Sequence, residues 1–558
     1  MSANAAIYLD PEAYLTSNAI LMGRHSAGES FLRGFLRHGQ VDGFHFWNVA
    51  GRPQAELEAM VHGLHVPDRP VHWIDMRNRR KLGIPGVAQL TGPFVGQEAW
   101  QRRPFGEQAY SICGLTHTTA TAQVQADIGQ LLLSPAQGHD ALICTSTAVR
   151  DAVEAQLEAF RDYLGYQFGP RRTPEPLRAV IPLGINAADF TRSEADRKAW
   201  RERLAIADDA VVALYVGRFS VHGKMNPAVM ALALEAAARE TGREIVWLLS
   251  GWADDAPAEA RYHEGARALC PSVRYLVVDG RPKETRFSIW SAADLFISLS
   301  ENVQETFGLT PVEAMAAGLP CVVTDWDGYR DTVRDGVDGF RIPTWAPRSG
   351  LGRDLAHRYA NGWLNYDNYV GAAGQFTAVD LAKAAEAICA LIRQPDLGRK
   401  LGEAGQAHAR AELDWAAIIP RYQALWAELN ARRQAKGPVV LWPDYVADNP
   451  WRMDPFRLFA GYPTAHLTAD CRIALAPGMD RAAAFARLNG PLASFFTTTF
   501  PTPDEVGRII ALVGARPASV GQILAAFPGA RDFFIERGLL WMAKFGVLTI
   551  SPAEPGPS

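Results

Sequence analysis

The chain has 558 residues, of which 48% are hydrophobic and 21% charged, the composition of a globular protein with several domains. A net charge of −4 argues against a general nucleic-acid-binding protein, and no uninterrupted apolar run reaches the roughly 18–20 residues of a membrane span. The six cysteines show no CxxC spacing, which argues against a zinc site and favours reduced thiols in a cytoplasmic protein. No Lys or Arg occurs early in the N-terminal sequence, so we expect neither export nor membrane insertion.

The first zone, residues 1–205, alternates apolar strand-like runs with helical stretches, which predicts an α/β domain. A strand at Ala19–Met22 precedes the segment Gly23–Gly28 and a helix from Glu29. We predict a glycine loop whose main chain at Gly23 and Gly28 approaches a phosphate or the acceptor closely. The loop lacks the GxGxxG fingerprint, and an ordinary strand-to-helix turn is the alternative.

The second zone, residues 206–435, repeats the alternation. Strands are predicted at Val211–Val216, Ile245–Ser250, Tyr275–Val278, Leu295–Leu299 and Cys321–Thr324. Strands that alternate with helices predict a parallel sheet, which binds ligands at the carboxyl ends of its strands.

Two carboxylates, Glu305 and Glu313, lie eight residues apart after one of these strands. We predict Thr310 as the N-cap of the next helix, with Pro311 at its first position and Glu313 completing a capping box. The free amides and the dipole of such a helix start favour an anion. The alternative is that Glu313 only caps the helix.

Two cations follow the first strand of the same zone. Gly217 and Arg218 end the strand Val211–Val216, and Lys224 comes six residues after Arg218. Fixed cations and amides stabilise the charge that grows on a departing diphosphate, whereas isolated cations in loops are commonly surface charges.

The string from Ser300 to Phe340 resembles the donor-site signature of retaining, family-4-like glycosyltransferases, which have the GT-B fold of two facing Rossmann-like domains. The Gly217-Arg218…Lys224 pattern resembles the diphosphate grip of that family. The segment Ile181–Phe190 resembles the element that ends its N-terminal domain, so we place a domain boundary near residue 205. The fold expected is therefore α/β, with two facing Rossmann-like domains and a C-terminal α+β extension.

The resemblance also implies roles for individual residues. Glu305 would position the donor sugar, Glu313 would hold the ribose, and His117 in Gly114–Thr118 would face the sugar from the first domain. Catalytic roles are expected for His117, Arg218, Lys224 and Glu305, and donor binding for Gly23, Gly28, Gly217, Arg281, Phe307, Gly308, Leu309 and Glu313. Arg281 would flank the base, and the amides of Gly308 and Leu309 would join the cations at the diphosphate.

The implied reaction retains the anomeric configuration, with the leaving phosphate helping to take the acceptor's proton. We expect no cofactor and no metal, because cations replace a metal clamp and Asp325-Trp-Asp327 falls where this family has no metal ligands. The expected partners are a nucleotide-sugar donor and a glycan, lipid-linked or protein acceptor, with no nucleic acid. A GT-B epimerase, a phosphorylase or a catalytically silent sugar-nucleotide-binding protein that recruits partners are the alternatives.

Two departures from the family pattern affect the sugar pocket. Thr306 stands where a glycine is common, and we predict that Asp331 substitutes for a family glutamate. Basic clusters at Arg77–Lys81, Arg102-Arg103 and Arg171-Arg172 are either solvated surface or contacts for an anionic acceptor or the inner membrane face.

The third zone, residues 436–558, begins at a proline-marked join and ends in a Pro/Gly/Ser tail expected to be disordered. Ser519–Phe527, Arg531–Phe545 and Val547–Ile550 predict helix, helix and strand, an order similar to a winged-helix unit. Protein or acceptor recognition and simple buttressing of the scaffold are the two hypotheses for this zone.

Overall fold

A computed structural model of the chain describes residues 3–14, 23–169, 174–253, 255–441, 449–493 and 497–552. It contains two compact units, Met1–Asn449 and Pro450–Ser558. The predicted strand Ala19–Met22, the cluster Arg171-Arg172 and the tail 553–558 lie outside the described residues.

The first unit contains a seven-stranded parallel sheet of order β3-β2-β1-β4-β5-β6-β7. Its strands are β1 (Ala6–Leu9), β2 (Phe44–Asn48), β3 (Val71–Asp75), β4 (Val87–Gln89), β5 (Ser111–Leu115), β6 (Ala141–Cys144) and β7 (Leu177–Val180). The central strands are covered by helices on both faces, so β6, with the sequence ALIC, is buried throughout. The sheet therefore belongs to a doubly wound, Rossmann-like domain.

Helices of this domain alternate with its strands. They are α1 (Pro11–Tyr14), α2 (Gly23–His38), α3 (Gln54–Leu64), α4 (Val95–Arg102), α5 (Ala122–Leu133) and α6 (Thr147–Phe168), with 3-10 turns at Arg79–Gly83, Arg103–Phe105 and Ala187–Asp189. The next helix, α7 (Glu194–Arg203), packs on the second domain, where its Arg201 pairs with Asp294 at 2.8 Å. The predicted glycine loop is wrong, because Gly23 and Gly28 both lie within helix α2. A Cβ at Gly28 would lie 2.2 Å from the Ala13 carbonyl oxygen, so close helix packing explains that glycine.

A second parallel sheet, of order β10-β9-β8-β11-β12-β13, forms another Rossmann-like domain in the same unit. Its strands are β8 (Val211–Val216), β9 (Ile245–Gly251), β10 (Arg274–Asp279), β11 (Leu295–Ser298), β12 (Cys321–Thr324) and β13 (Gly339–Ile342). A separate antiparallel pair consists of β14 (Thr344–Trp345) and β15 (Ala378–Val379). The helices are α8 (Pro227–Thr241), α9 (Ala256–Leu269), α10 (Lys283–Ser288), α11 (Leu309–Ala316), α12 (Tyr329–Thr332), α13 (Arg353–Ala360), α14 (Tyr366–Gly374), α15 (Leu381–Arg393), α16 (Pro395–Glu412) and α17 (Trp415–Gln434), with a 3-10 turn at Ile289–Ala292.

The chain crosses between the two domains twice, and the crossings are hydrogen-bonded to each other. The Ile185 amide donates to the Leu413 carbonyl, and the Trp415 amide donates to the Ile185 carbonyl, each at 3.0 Å. Asp414 then caps α17 by accepting from the Ala416 amide. Helix α17 is in this way directed back onto the first sheet, where its buried side chains join the core of the first domain.

Trp415 is fully buried at this crossing, between two glycines. A Cβ at Gly34 would lie 2.4 Å from Trp415 Cγ, and one at Gly184 would lie 2.6 Å from its ring. The Trp415 Nε1–H donates to Ser30 Oγ at 2.8 Å, so the indole has no unsatisfied polar group. The absence of side chains at Gly34 and Gly184 therefore makes room for the residue that joins the crossings.

The predicted basic clusters differ in their exposure. Arg102 is not a surface residue, since it is fully buried and forms a bidentate pair with Asp140 at 2.6 and 2.8 Å. Arg79 pairs with Glu98 and lies over the Trp47 ring, whereas Arg77 and Lys81 are exposed. Among the described helices, none is both long and apolar enough to cross a membrane.

The second unit is a small α+β domain with its own core. Its antiparallel sheet has the order β17-β16-β18. The elements are α18 (Pro455–Leu458), β16 (Arg472–Leu475), α19 (Arg481–Leu488), α20 (Pro503–Ala515), β17 (Ala518–Ser519), α21 (Val520–Leu524), α22 (Asp532–Lys544) and β18 (Leu548–Ser551), with 3-10 turns at Thr497–Thr499 and Gly529–Arg531. Complete capping boxes begin α20 and α21, and the predicted order of helix, helix and strand is present as α21, α22 and β18.

We predict that Gly34→Ala destabilises the protein although alanine favours a helix. The new methyl group would collide with the Trp415 ring, and overpacking of this kind costs about 1–3 kcal/mol. The matched control is Gly165→Ala in helix α6, where nothing lies within 4 Å of the new Cβ and stability should rise by roughly 0.5–1 kcal/mol. Urea unfolding of both variants measures the difference, and equal effects would contradict the proposed Trp415 contact.

Candidate active site

A cleft of about 450 Å³ opens between the two Rossmann-like domains. One wall comes from helix α2 and from the segment after β5. The other comes from the segments that follow β8, β9, β10 and β11, which are carboxyl ends of parallel strands. Of the predicted site residues, the cleft is lined by His117, Gly217, Arg218, Lys224, Glu305, Phe307, Gly308, Leu309 and Glu313.

Lys224 and Glu305 form an ion pair in this cleft. Lys224 Nζ lies 3.1 Å from Glu305 Oε2, and the two side chains are 30% and 19% exposed. Burial raises the pKa of Glu305, but Lys224 and the backbone amides of Thr306 and Gly308 outweigh that effect and hold the pKa below its usual value. Glu305 is therefore an ionised acceptor in the cleft.

Three polar residues that follow strand β11, Ser300, Glu301 and Asn302, hold the Lys224 loop in place. Sequence reasoning gave them no role. Ser300 Oγ donates to the Lys224 carbonyl at 3.1 Å, and Glu301 Oε1 accepts from the Asn226 amide at 2.9 Å. Asn302 Nδ2 donates to a further carbonyl of the same loop. Burial raises the pKa of Glu301 to about 7. The only available signal was the adjacency of these polar residues to the end of a buried strand.

Helix α11 begins differently from the prediction. Its N-cap is Gly308, with φ of 85°, and no side chain caps it, so the capping box of Thr310 and Glu313 is wrong. A Cβ at Gly308 would lie 2.1 Å from the Tyr329 ring, so both the backbone angle and the space require glycine. The Gly308 amide, expected at the diphosphate, is directed to the Glu305 carboxylate in this structure.

Glu313 follows on the next turn of α11 and faces the cleft instead of the helix start. Burial raises its pKa to about 7, with Arg286 acting in the opposite direction. Arg286 also lines the cleft, and sequence reasoning missed it. The charge of Arg286 thus acts on Glu313 across the cleft, at a place separate from the Lys224–Glu305 pair.

Thr306 connects the second domain to the first. Its Oγ1 donates to the His117 carbonyl at 3.0 Å, and its own carbonyl accepts from Thr145 Oγ1 at 3.3 Å. The departure from glycine at this position therefore has a structural use, which is to bond the residue next to Glu305 to the opposite wall. The same contact joins the main chain of His117, which lines the cleft, to the second domain.

Asp331 also contacts the first domain. Its Oδ2 accepts from the Thr147 amide at the start of helix α6, where Ser146 is the N-cap. Nearby Asp327 has a φ of 45°, and burial, together with Glu305, raises its pKa well above the usual range. Asp331 is not among the residues that line the cleft, and its substitution for the family glutamate stays a prediction.

Arg281 is the remaining predicted donor residue, and it is not among the residues that line the cleft. It is exposed and pairs with Asp279 at 2.9 Å. The neighbouring Gly280 lines the cleft instead. Within the described part of the chain, no group of three or more His, Cys, Asp or Glu residues is arranged to hold a metal ion.

Comparison with protein families gives a match for part of the second domain. Residues 196–348 match the model described as glycosyl transferases group 1. This range contains Arg218, Lys224, Glu305 and Glu313. The two domains with a shared cleft form the GT-B architecture.

Curated relatives match over limited lengths. A D-inositol 3-phosphate glycosyltransferase of Geodermatophilus obscurus is 34% identical over 187 residues, which is 32% of this chain and 38% of the relative. An alpha-maltose-1-phosphate synthase of Mycolicibacterium smegmatis is 28% identical over 300 residues, which is 53% of this chain and 65% of the relative. The chain spans 38–53% of the length of the first three relatives.

Solved structures with a similar fold include Anabaena HepE in complex with UDP and glucose. It is 15% identical, with a TM-score of 0.48, and the match covers 76% of this chain and 99% of that one. Sucrose-phosphate synthase of Thermosynechococcus elongatus is 17% identical, with a TM-score of 0.47 and coverage of 77% and 100%. These scores are modest, and the fold assignment rests on the two sheets and the cleft described above.

We predict that Glu313→Gln changes stability in a pH-dependent way. A carboxyl whose pKa rises from 4.5 to about 7 on folding holds its proton more tightly in the folded state, so its contribution to stability falls as pH rises through that window. The melting temperature of the ligand-free variant, minus that of the wild type at the same pH, should therefore be larger at about pH 8 than at about pH 5. Exposed Glu264 supplies the control, since Glu264→Gln should show no such dependence. A pH-independent effect of Glu313→Gln would contradict the prediction.

Proposed function

We propose that the protein is a retaining glycosyltransferase that transfers a sugar from a nucleotide diphosphate sugar to an acceptor. The observation that carries this proposal is the Lys224–Glu305 ion pair in the interdomain cleft, with Arg218 and Glu313 along the same wall. A cation and an ionised carboxylate held together supply one group for a leaving phosphate and one for sugar hydroxyls. The match of this segment to glycosyl transferases group 1 supports the proposal.

Lys224 and Arg218 stabilise the departing diphosphate in this mechanism. Negative charge grows on the leaving group as the glycosyl bond breaks, and preorganised cations lower the barrier because they need little reorganisation. The loop contacts of Ser300, Glu301 and Asn302 supply that preorganisation. Cations here take the place of a metal clamp, which is why we propose metal independence.

Glu305 positions the donor sugar, Glu313 binds the ribose, and His117 steadies the sugar as charge develops. The lowered pKa of Glu305 supports its role as an acceptor of hydrogen bonds from sugar hydroxyls. Leaving and attacking groups lie on the same face of the sugar, and the leaving phosphate helps to take the acceptor's proton. The anomeric configuration is therefore retained.

The acceptor is a glycan, a lipid-linked sugar or a protein, and the reaction takes place in the cytoplasm. Exposed Arg77, Arg80 and Lys81, together with Ile84 at 68% exposure, form a basic and apolar edge on the first domain. That composition supports peripheral contact with the inner membrane face. The buried pair of Arg102 and Asp140 takes no part in it.

An epimerase and a catalytically silent sugar-nucleotide-binding protein are the competing functions. An epimerase forms product without an acceptor, and a silent protein binds the donor without turnover. The intact cation pair at the leaving-group position favours catalysis, because binding alone does not require stabilisation of a leaving phosphate. Product analysis with and without acceptor separates the three.

We predict that one of the nucleoside diphosphates UDP, GDP and ADP stabilises the protein against heat. CMP serves as the nucleoside monophosphate in the same panel. A ligand at roughly 100 times its Kd stabilises the fold by about 2.7 kcal/mol, and Lys224→Ala should lose most of that gain. Lys198→Ala is the matched control, because Lys198 is 75% exposed on α7, outside the cleft. A full nucleotide shift in Lys224→Ala would contradict the diphosphate assignment, and no shift in the wild type would contradict the transferase.

We predict that Glu305→Gln lowers turnover roughly 100-fold, because a contact to the sugar is lost. The affinity for the nucleoside diphosphate should not fall, because Lys224 loses its carboxylate partner and remains available to the phosphates. Proton NMR of the wild-type product should show the anomeric configuration of the donor. Exposed Glu264→Gln again serves as the control. An inverted product would overturn the retaining mechanism, and unchanged turnover in Glu305→Gln would overturn the role of Glu305.

A further inference from the structure

A helical segment outside the family match reaches the cleft. The match to glycosyl transferases group 1 ends at residue 348, and the chain then leaves and returns at the antiparallel pair of β14 and β15. Residues 346–377, which we call the insert, contain helices α13 and α14. Tyr366, the first residue of α14, lines the cleft. The insert therefore adds to the site a side chain that the motifs after the parallel strands do not include.

The insert packs against the loop that carries Lys224. A Cβ at Gly371 of α14 would lie 2.6 Å from His222 Nδ1, so the helix and this loop are in close contact. Asn365 caps the same helix with its side chain. The position of Tyr366 in the first turn is therefore fixed by a cap on one side and by helix packing on the other.

The insert is also bonded to the first domain. Tyr359 Oη accepts a hydrogen bond from the Ala122 amide at 2.9 Å. Ala122 is the first residue of α5, where backbone amides have no partner within the helix. The Tyr359 ring stacks on Tyr369 of α14, with the ring centres 4.2 Å apart and an angle of 7° between the planes. Helix α14 is thus held by contacts with both domains.

The Tyr366 phenol lies among groups that come from both walls of the cleft. Thr118 belongs to the first domain and follows His117, whereas Arg218 follows β8, and all three line the cleft. Burial raises the pKa of Tyr366, while the Thr118 side chain and Arg218 act in the opposite direction. The phenol oxygen is therefore near the Thr118 hydroxyl and within electrostatic range of Arg218. Because its pKa is raised, the phenol keeps its proton at neutral pH and is a hydrogen-bond donor.

Thr118 leaves the phenol proton available to a ligand. Thr118 Oγ1 accepts from the Ala120 amide at 3.3 Å. Its side chain lowers the pKa of Tyr366, which is the effect of a hydroxyl whose proton is directed at the phenol oxygen. A phenol oxygen that accepts in this way directs its own proton to another acceptor.

A phosphate of the proposed donor is the acceptor that suits this position. Arg218 is assigned to the diphosphate and His117 to the sugar, so the phosphate joined to the sugar would lie between them. Phosphate oxygens accept hydrogen bonds, and such bonds to a charged group are roughly twice as strong as neutral ones. A phenol supplies this bond without adding a further cation.

We propose that Tyr366 donates a hydrogen bond to the phosphate that is joined to the donor sugar and so stabilises that phosphate as it leaves. This inference rests on the proposed glycosyl transfer. The bond between the anomeric carbon and the phosphate oxygen breaks, its electron pair stays with the phosphate, and the acceptor oxygen bonds to the anomeric carbon. The leaving phosphate takes the acceptor's proton, and the phenol keeps its own. Tyr366 is then a catalytic residue from a segment that the family model does not cover.

The test compares nucleoside diphosphates with monophosphates by isothermal titration calorimetry on the full chain. UDP, GDP and ADP are titrated beside UMP, GMP and AMP, and one diphosphate should bind more tightly than its own monophosphate. Tyr366→Phe keeps the ring and should weaken binding of that diphosphate roughly tenfold, as expected for one lost hydrogen bond to a charged group. Binding of the monophosphate should change less than about twofold. Tyr369→Phe removes a hydroxyl from the same helix, at a residue that is not among those lining the cleft, and should change neither affinity.

Hydrolysis of a nucleotide sugar, with water as the acceptor, gives a second readout that a purely structural tyrosine would not produce. The probes are UDP-glucose, GDP-mannose and ADP-glucose. Because negative charge grows on the phosphate in the transition state, Tyr366→Phe should lower kcat roughly tenfold, whereas Tyr369→Phe should not change it. The ligand-free Tyr366→Phe variant should melt within about 3 °C of the wild type, because the ring stays in place.

Three results would overturn the proposal: equal diphosphate binding in the wild type and Tyr366→Phe, equal losses for diphosphate and monophosphate, or an unchanged kcat of hydrolysis. The outcome is distinguishable from failure of the transferase itself. A diphosphate that binds the wild type, loses its binding in Lys224→Ala and is unaffected by Tyr366→Phe would retain the donor site and reject the role of Tyr366. No diphosphate binding in the wild type would reject both.

Discussion

The relation between the two Rossmann-like domains depends on the paired crossings at Ile185 and Asp414. Both crossings are short, they are hydrogen-bonded to each other, and Trp415 fills the space left by Gly34 and Gly184. A cleft between domains is useful for catalysis only when its walls hold groups at fixed separations. Here, that separation is set by main-chain bonds and one buried indole at the edge of the cleft.

The sequence predicted the second domain better than the first, and the reason is physical. Strands such as β8 and β12 are continuous apolar runs buried on both faces, so they were predicted with the observed bounds. In the first domain, β1 and β4 are short and were not recognised, and the segment with two glycines was interpreted as a loop although it is helical. A glycine that permits close packing and a glycine that permits a turn look the same in a sequence.

The candidate site also has a part that the sequence predicts and a part that it does not. Arg218, Lys224, Glu305 and Glu313 follow strands in a recognisable order, so their presence at one cleft could be predicted. The contacts that orient these side chains could not be predicted. Thr306 bonds to the opposite domain 189 residues away in sequence, and Asp331 accepts from the start of α6, and neither contact leaves a local pattern. The buried position of Arg102 likewise depends on Asp140, a partner 38 residues away that charge clustering does not identify.

Helix α17 has a consequence for how the protein is made. Its residues Ile418, Trp426 and Leu429 belong to the core of the first domain, although they follow the whole second domain in the chain. During synthesis the second sheet, which is continuous in sequence, is available before the first domain has all of its core. Domains generally fold as units as they emerge, so the amino-terminal domain here must wait, with one face uncovered, until the carboxyl-terminal helix of the unit leaves the ribosome.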